Sequence, residues 1–122
     1  MKPCIKKCDL SAEYFFTEGC FITELSNTHD DPALSIARAR VEPGKTTRWH
    51  SLRGVTERYV IIEGCGRVEI GDLESQRVST GDSVIIPAGV RQRISNIGEH
   101  DLIFLALCTP RFTEAAYVSL EH

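Results

Sequence analysis

The stretch GKTTRWHSLRGVTERYVIIEG, residues 44–64, decides how this chain folds. A Pro43-Gly44 turn opens it and Gly64 closes it, with a further glycine at 54. Between them lie apolar and alternating residues of strand character, "TTRWHSL" and "ERYVIIE". Side chains of a strand alternate faces, so the pattern puts Thr46, Arg48, His50 and Leu52 on one face. Glu57, Tyr59 and Ile61 share a face of the next strand, with Val60 and Ile62 on the opposite one. Both faces of that strand therefore want cover. A second sheet covers one, and a second copy of the chain is expected over the other, giving a homodimer.

The same signals continue outward. "FITEL" (21–25), "ALSIARARV" (33–41), "GRVEIG" (66–71), "SVIIPA" (83–88), "RQRISNI" (91–97) and "DLIFLALCT" (101–109) read as strands, punctuated by Gly and Pro turns. Many short strands at near-regular spacing predict an all-β sandwich or barrel. Near the end, "TEAAYVSL" reads as a short helix. Residues 1–119 are expected to form one domain, and "LEH" at 120–122 resembles the start of an expression tag.

Composition narrows the function classes. The chain of 122 residues is 42% apolar and 25% charged, with net charge −3. That balance offers no basic footprint for nucleic acid. No apolar run approaches the roughly 18 residues needed to span a bilayer. The N-terminus lacks an apolar export segment, so a cytoplasmic location is expected, with the five cysteines as reduced thiols. Cys4 and Cys8 read as thiols of an N-terminal arm.

Gly44, His50, Leu52, Glu57 and Gly64 match in spacing a motif of Gly, His-x-His, Glu and Gly. Gly81, Pro87, Gly89, Gln92 and Asn96 match a second motif of Gly, Pro-x-Gly, His and Asn. Together they resemble the cupin superfamily, with the motif core at 44–96 and one histidine replaced in each motif. The resemblance implies a double-stranded β-helix, the jelly-roll or cupin barrel. It also implies a divalent transition metal, Fe, Zn, Ni or Mn, at the motif histidines and glutamate. Carried over, His50, Glu57 and Gln92 stand at ligand positions, and Leu52 stands at the fourth. Glutamine offers a neutral carbonyl oxygen and leucine offers nothing.

Two functions follow from this reading. One is a metalloenzyme of oxygenase or isomerase type, acting on an anionic small molecule. There Arg48, on the face of His50, would either clamp the anionic group or reach to solvent at the barrel mouth, and Tyr59 would add a phenolic contact. The other is a metal-free barrel that binds or senses a small molecule. Arg38 and Arg40 alternate with Ala37, Ala39 and Val41, leaving open which set faces inward. Trp49, Arg91 and Arg93 are expected on the outside, Asn96 on backbone groups at a strand end, and His29 and His100 in exposed loops.

Overall fold

The structure, a computed structural model, describes residues 1–121. Eleven strands follow one another: β1 (Tyr14–Phe16), β2 (Cys20–Ser26), β3 (Ser35–Val41), β4 (His50–Leu52), β5 (Thr56–Glu63), β6 (Cys65–Ile70), β7 (Gln76–Ser79), β8 (Ser83–Ile86), β9 (Gln92–Asn96), β10 (Leu102–Thr109) and β11 (Tyr117–Ser119). They form two sheets, one in the order β1-β2-β3-β10-β5-β8 and one in the order β11-β4-β9-β6-β7. Every pairing is antiparallel. This is the expected all-β double-stranded β-helix, and the alternating burial of β9 and β10 is that of strands with one face on a core.

The register settles which way the alanines of β3 point. Ala39 is buried and lies between Ile22 of β2 and Phe104 of β10 in one row across the sheet. Ala37 lies in the next row, between Glu24 and Ala106. Arg38 and Arg40 point outward, and Arg40 bonds Glu13 at 2.7 Å and Asp101 at 3.3 Å. Ile94, Val68 and Ile70 of the smaller sheet complete the main core with Ile61, Ile86 and Leu102. A smaller cluster gathers Leu52, Val55, Cys108 and Ala116. On the outer face of β5, Val60 is half-buried and Ile62 is exposed. Among the described residues no helix is long and apolar enough to cross a membrane.

One expectation fails at the start of the decisive stretch. Thr46 bridges Ser95, whereas His50 pairs with Gln92. Four steps on one chain therefore oppose three on the other, which is a β-bulge. The extra residue reverses the alternation upstream of His50. Thr47 becomes the buried residue, exchanging bonds with the Ile94 backbone at 2.9 and 3.0 Å. Thr46 and Arg48 turn to solvent, and the regular strand shrinks to His50–Leu52.

The helix expected near the end is a single 3-10 turn, Glu114–Ala116, followed by β11, whose residues pair with β4 from Tyr117↔Leu52 to Ser119↔His50. Sheet pairing overrides the weak local helix signal there, and no side chain caps the turn at Thr113. Leu120 and Glu121 continue onto Trp49, with bonds of 3.0 and 2.8 Å to its backbone. His122, the last residue of the expected tag remnant, lies outside the described residues.

The motif glycine at 64 has a demanding position. Its φ is +90°, and a Cβ there would sit 2.9 Å from the Asp101 carbonyl oxygen. Gly64→Ala is expected to cost about 1–3 kcal/mol from the left-handed backbone and the backbone clash. At roughly 4 °C per kcal/mol for a domain of this size, thermal melts should show a fall of several degrees. A melt within a degree of the parent would mean that the β5–β6 turn relaxes freely.

Candidate functional site

A cavity opens between the two core clusters, with about 560 Å³ of space including its open mouth. The inner face of the larger sheet forms its floor. Across that floor, Glu57, Cys108 and Ser35 make one row, and Tyr59, Ala106 and Ala37 the next. The small side chains of Ser35, Ala37 and Ala106 leave the space that larger ones would fill. Leu52 and His50 close the cavity from the smaller sheet.

His50 is 1% exposed. Its Nδ1 lies 2.8 Å from the Arg48 carbonyl oxygen, which fixes Nδ1–H as the donor and leaves Nε2 as the acceptor. The ring stacks on Tyr117, with centroids 5.1 Å apart and planes 19° apart. Burial lowers the His50 pKa, so the imidazole is neutral. Its Nε2 faces Glu18 Oε1 at 3.4 Å.

Glu18 comes from the turn between β1 and β2. Gly19, with φ +102°, bonds the Phe16 carbonyl at 2.9 Å and tightens that turn. The Glu18 carbonyl then accepts the Arg48 N–H at 2.7 Å. The peptide groups of Arg48 thus hold both partners: its N–H anchors Glu18 and its C=O orients His50.

Two buried carboxyls share this cavity. Burial pushes the Glu18 pKa up to about 7, and the Cys20 thiol at 3.5 Å opposes the rise. Burial first and the Glu18 charge second push Glu57 up to about 7, opposed by His50, Gln92 and the Cys108 thiol. Cys108 Sγ lies 3.7 Å from Glu57 Oε2. Glu57 Oε1, buried in a residue only 9% exposed, has no hydrogen-bond partner. Both thiols are themselves pushed up by burial and by the neighbouring carboxyls, so they act as donors rather than nucleophiles.

Of the residues singled out from the sequence, His50, Glu57 and Tyr59 line the cavity. Gln92 is fully buried beside His50 in the sheet, and its Oε1 accepts the Tyr59 hydroxyl proton. Arg48 does not join them. Its side chain is exposed and outside the cavity, because the bulge turned it away. The anionic substrate that rested on Arg48 loses its clamp. Arg91 and Arg93 stack on Trp49, 5.0 and 4.3 Å from the ring centroid, on the outside as expected. His29 and His100 are exposed. Asn96 bonds the Val41 and His100 carbonyls, each at 2.8 Å, and accepts the Gly98 N–H at 2.9 Å.

The donor set does not fit a resident transition metal. Leu52, 3% exposed, puts hydrocarbon at the second histidine position. The Gln92 oxygen already accepts from Tyr59, and the remaining Nε2 is a donor. Among the described residues no group of three His, Cys, Asp or Glu side chains would hold a metal ion. His50 and Glu57 are the two metal-binding groups left at the motif positions.

Glu18 and Cys108 were invisible to motif reading. Glu18 lies 32 residues before His50 in a hairpin turn, and only the Gly after it hints at a constrained position. Cys108 alternates with Ala106 and Phe104 on the inward face of β10, a parity the strand pattern does carry.

The cupin domain family matches residues 37–108. The chain is 31% identical over 115 residues to the protein named Uncharacterized protein MJ1618 of Methanocaldococcus jannaschii, covering 93% of this chain and 91% of the other. Among solved structures, KdgF from Halomonas sp. superposes with TM-score 0.80 at 18% identity, over 93% of this chain and 99% of that one. Pac13, described as a nucleoside dehydratase, superposes with TM-score 0.77 at 17% identity, over 94% and 90%. At these identities the structures share the fold with this chain.

Proposed function

The chain belongs to the cupin family, and on that premise we propose that it binds a small molecule beside His50 and Glu57 and moves a proton on it without a resident metal. One observation carries this reading: two carboxyls with pKa raised to about 7 flank a neutral histidine in a cavity with an open mouth. Groups poised near neutrality give and take protons with equal ease, an effect worth roughly 10²–10⁴ in rate. Glu18 and Glu57 disfavour each other's ionisation, so one holds a proton while the other is ionised.

Roles follow from the contacts. Protonated Glu18 faces His50 Nε2 at 3.4 Å, and Arg48 C=O keeps the ring in the accepting tautomer. Glu57, whose Oε2 faces the Cys108 thiol at 3.7 Å, is the base toward a ligand. The apolar walls exclude water from the pair and strengthen their influence on a bound molecule. Dehydration, the reaction named for one protein of this fold, is itself a proton removal and a proton delivery.

The test is a ligand-observed NMR screen of small metabolites in D₂O with a chelator present. Hits should bind without metal and take up deuterium or lose water. The Glu57→Gln variant should bind them and leave them unchanged. Binding only after a divalent metal is added would overturn this reading in favour of a metalloenzyme. Binding with no chemical change in the parent would reduce it to a sensing barrel.

A further inference from the structure

The outer face of the larger sheet carries apolar side chains where water-facing ones are expected. Residues that turn away from the cavity fall into rows across its strands. One row runs Ile36, Leu107, Arg58 and Ile85, from β3 to β8. The middle row runs Arg38, Leu105, Val60 and Ser83. The last runs Arg40, Ile103 and Glu63, with Ile62 in the bulge beside Glu63. Every outward residue of β10 in these rows is apolar. Val60, Ile103, Leu105 and Leu107 are partly exposed, and Ile62 and Ile85 are 43% and 65% exposed. The N-terminal arm borders this face at Ile36 and Leu105 without burying them, and its Met1, 85% exposed, adds to the apolar surface. An antiparallel sheet with one face in water alternates apolar inside with polar outside. A contiguous apolar patch on the outside marks a surface that meets a partner.

The charges on this face say which partner. Arg38 and Arg40 are neutralised within the chain, Arg38 by Glu13 and Arg40 by Glu13 and Asp101. Arg58 and Glu63 remain, at opposite ends of the outer face of β5, and neither makes an ion pair among the described residues. A two-fold axis along the middle row, between two facing sheets, reverses the strands of one copy over those of the other. Val60 and Leu105 then meet their own counterparts. Leu107 meets Ile103 of the second copy, and Arg58 meets its Glu63. The face is self-complementary, as a two-fold interface requires. Sheets stack face to face in this near-aligned way at about 10 Å.

We infer that this face joins two copies of the chain into a two-fold dimer, held by Val60, Ile62, Ile103, Leu105 and Leu107 and oriented by Arg58 against Glu63. The interface lies on the reverse of the cavity floor, so the inference is independent of the chemistry proposed above. It gives the second copy a definite face and a definite direction.

Sedimentation velocity with light scattering on the full chain tests it. The parent is expected to run at twice its 13.6 kDa mass. Ile62→Lys changes an exposed residue, so the fold survives, and the dissociation constant should rise by about ten-fold or more. Glu63→Arg sets like charges against Arg58 of the other copy and should weaken the dimer by a similar factor. Arg58 also bonds Thr56 and Thr109, so Arg58→Glu is read within a double-mutant cycle. Combined with Glu63→Arg it should bind more tightly than either single variant. Arg77→Glu, at an exposed position on the smaller sheet, should leave the dimer unchanged. Circular dichroism checks the fold of each variant. A parent that stays monomeric up to about 100 µM would overturn the inference. A dimer unmoved by both Ile62→Lys and Glu63→Arg would overturn it as well, because the contact would lie elsewhere. Additive losses in the double variant would overturn the two-fold orientation.

Discussion

Raising the pH from 5 to 8 is expected to destabilise this protein, and Glu57→Gln is expected to remove much of that loss. Glu57 and Glu18 hold their protons up to about pH 7 in the fold, against an ordinary value of 4.5. Between those values the folded chain binds more protons than the unfolded one. Stability is therefore fully present below about 4.5 and is lost as pH rises through about 7. For Glu57 the loss amounts to about 3 kcal/mol, taking 1.36 kcal/mol per pH unit. His50 works in the opposite sense, because its pKa is lowered: its contribution is complete above about 6.5 and fades as pH falls. The two carboxyls make the decline steep between about pH 5 and 7, with His50 offsetting part of it below 6.5, and the curve levels off by about pH 8. Glutamine copies the shape of a protonated glutamate and never ionises. At pH 8 the variant should exceed the parent in stability by up to about 3 kcal/mol in urea unfolding. Parallel curves for parent and variant would show that Glu57 ionises in the fold at no cost, and the acid–base assignment would fall with that result.

The second large effect concerns metal. The double substitution Leu52→His with Gln92→His is expected to turn a barrel that retains little metal into one holding about one equivalent of zinc or a similar ion. Leu52 and His50 share the cavity face of β4, and position 92 pairs directly with His50 across β4 and β9. The two new imidazoles would join His50 and Glu57, completing the four donors that divalent transition metals favour. Removing the Gln92 amide also removes a group whose oxygen Tyr59 occupies. Mass spectrometry on protein purified without a histidine tag, after dialysis, reads the outcome. A parent that already carries stoichiometric metal, lost in Glu57→Gln, would overturn the metal-free reading and reinstate His50 and Glu57 as metal ligands.

His50, Glu57, Tyr59 and Gln92 were legible because each sits at a motif position or alternates from one within a regular strand. Arg48 was misplaced by the same rule. Alternation holds only while pairing stays in register, and one extra residue between Thr46 and His50 reverses it. No local signal in "KTTRWH" announces the bulge, because it depends on Ile94 and Ser95 from a distant strand. Glu18 escaped notice for a related reason. Its partners, His50 and the Arg48 peptide, lie far along the chain, and only the closing of the barrel brings the β1–β2 turn over them.

Sequence by itself determined the all-β architecture, the turns, the loss of a histidine from each motif and the shared face of Glu57 and Tyr59. Those are properties of residue type and of spacing two, which a strand reads locally. Tertiary structure alone decided the charge of the cavity. That charge depends on which side chains of separate strands and turns face inward, and on burial that moves two carboxyls to the edge of neutrality. Burial is a property of the closed barrel, where the removal of water penalises charge, and no single stretch of the chain carries it.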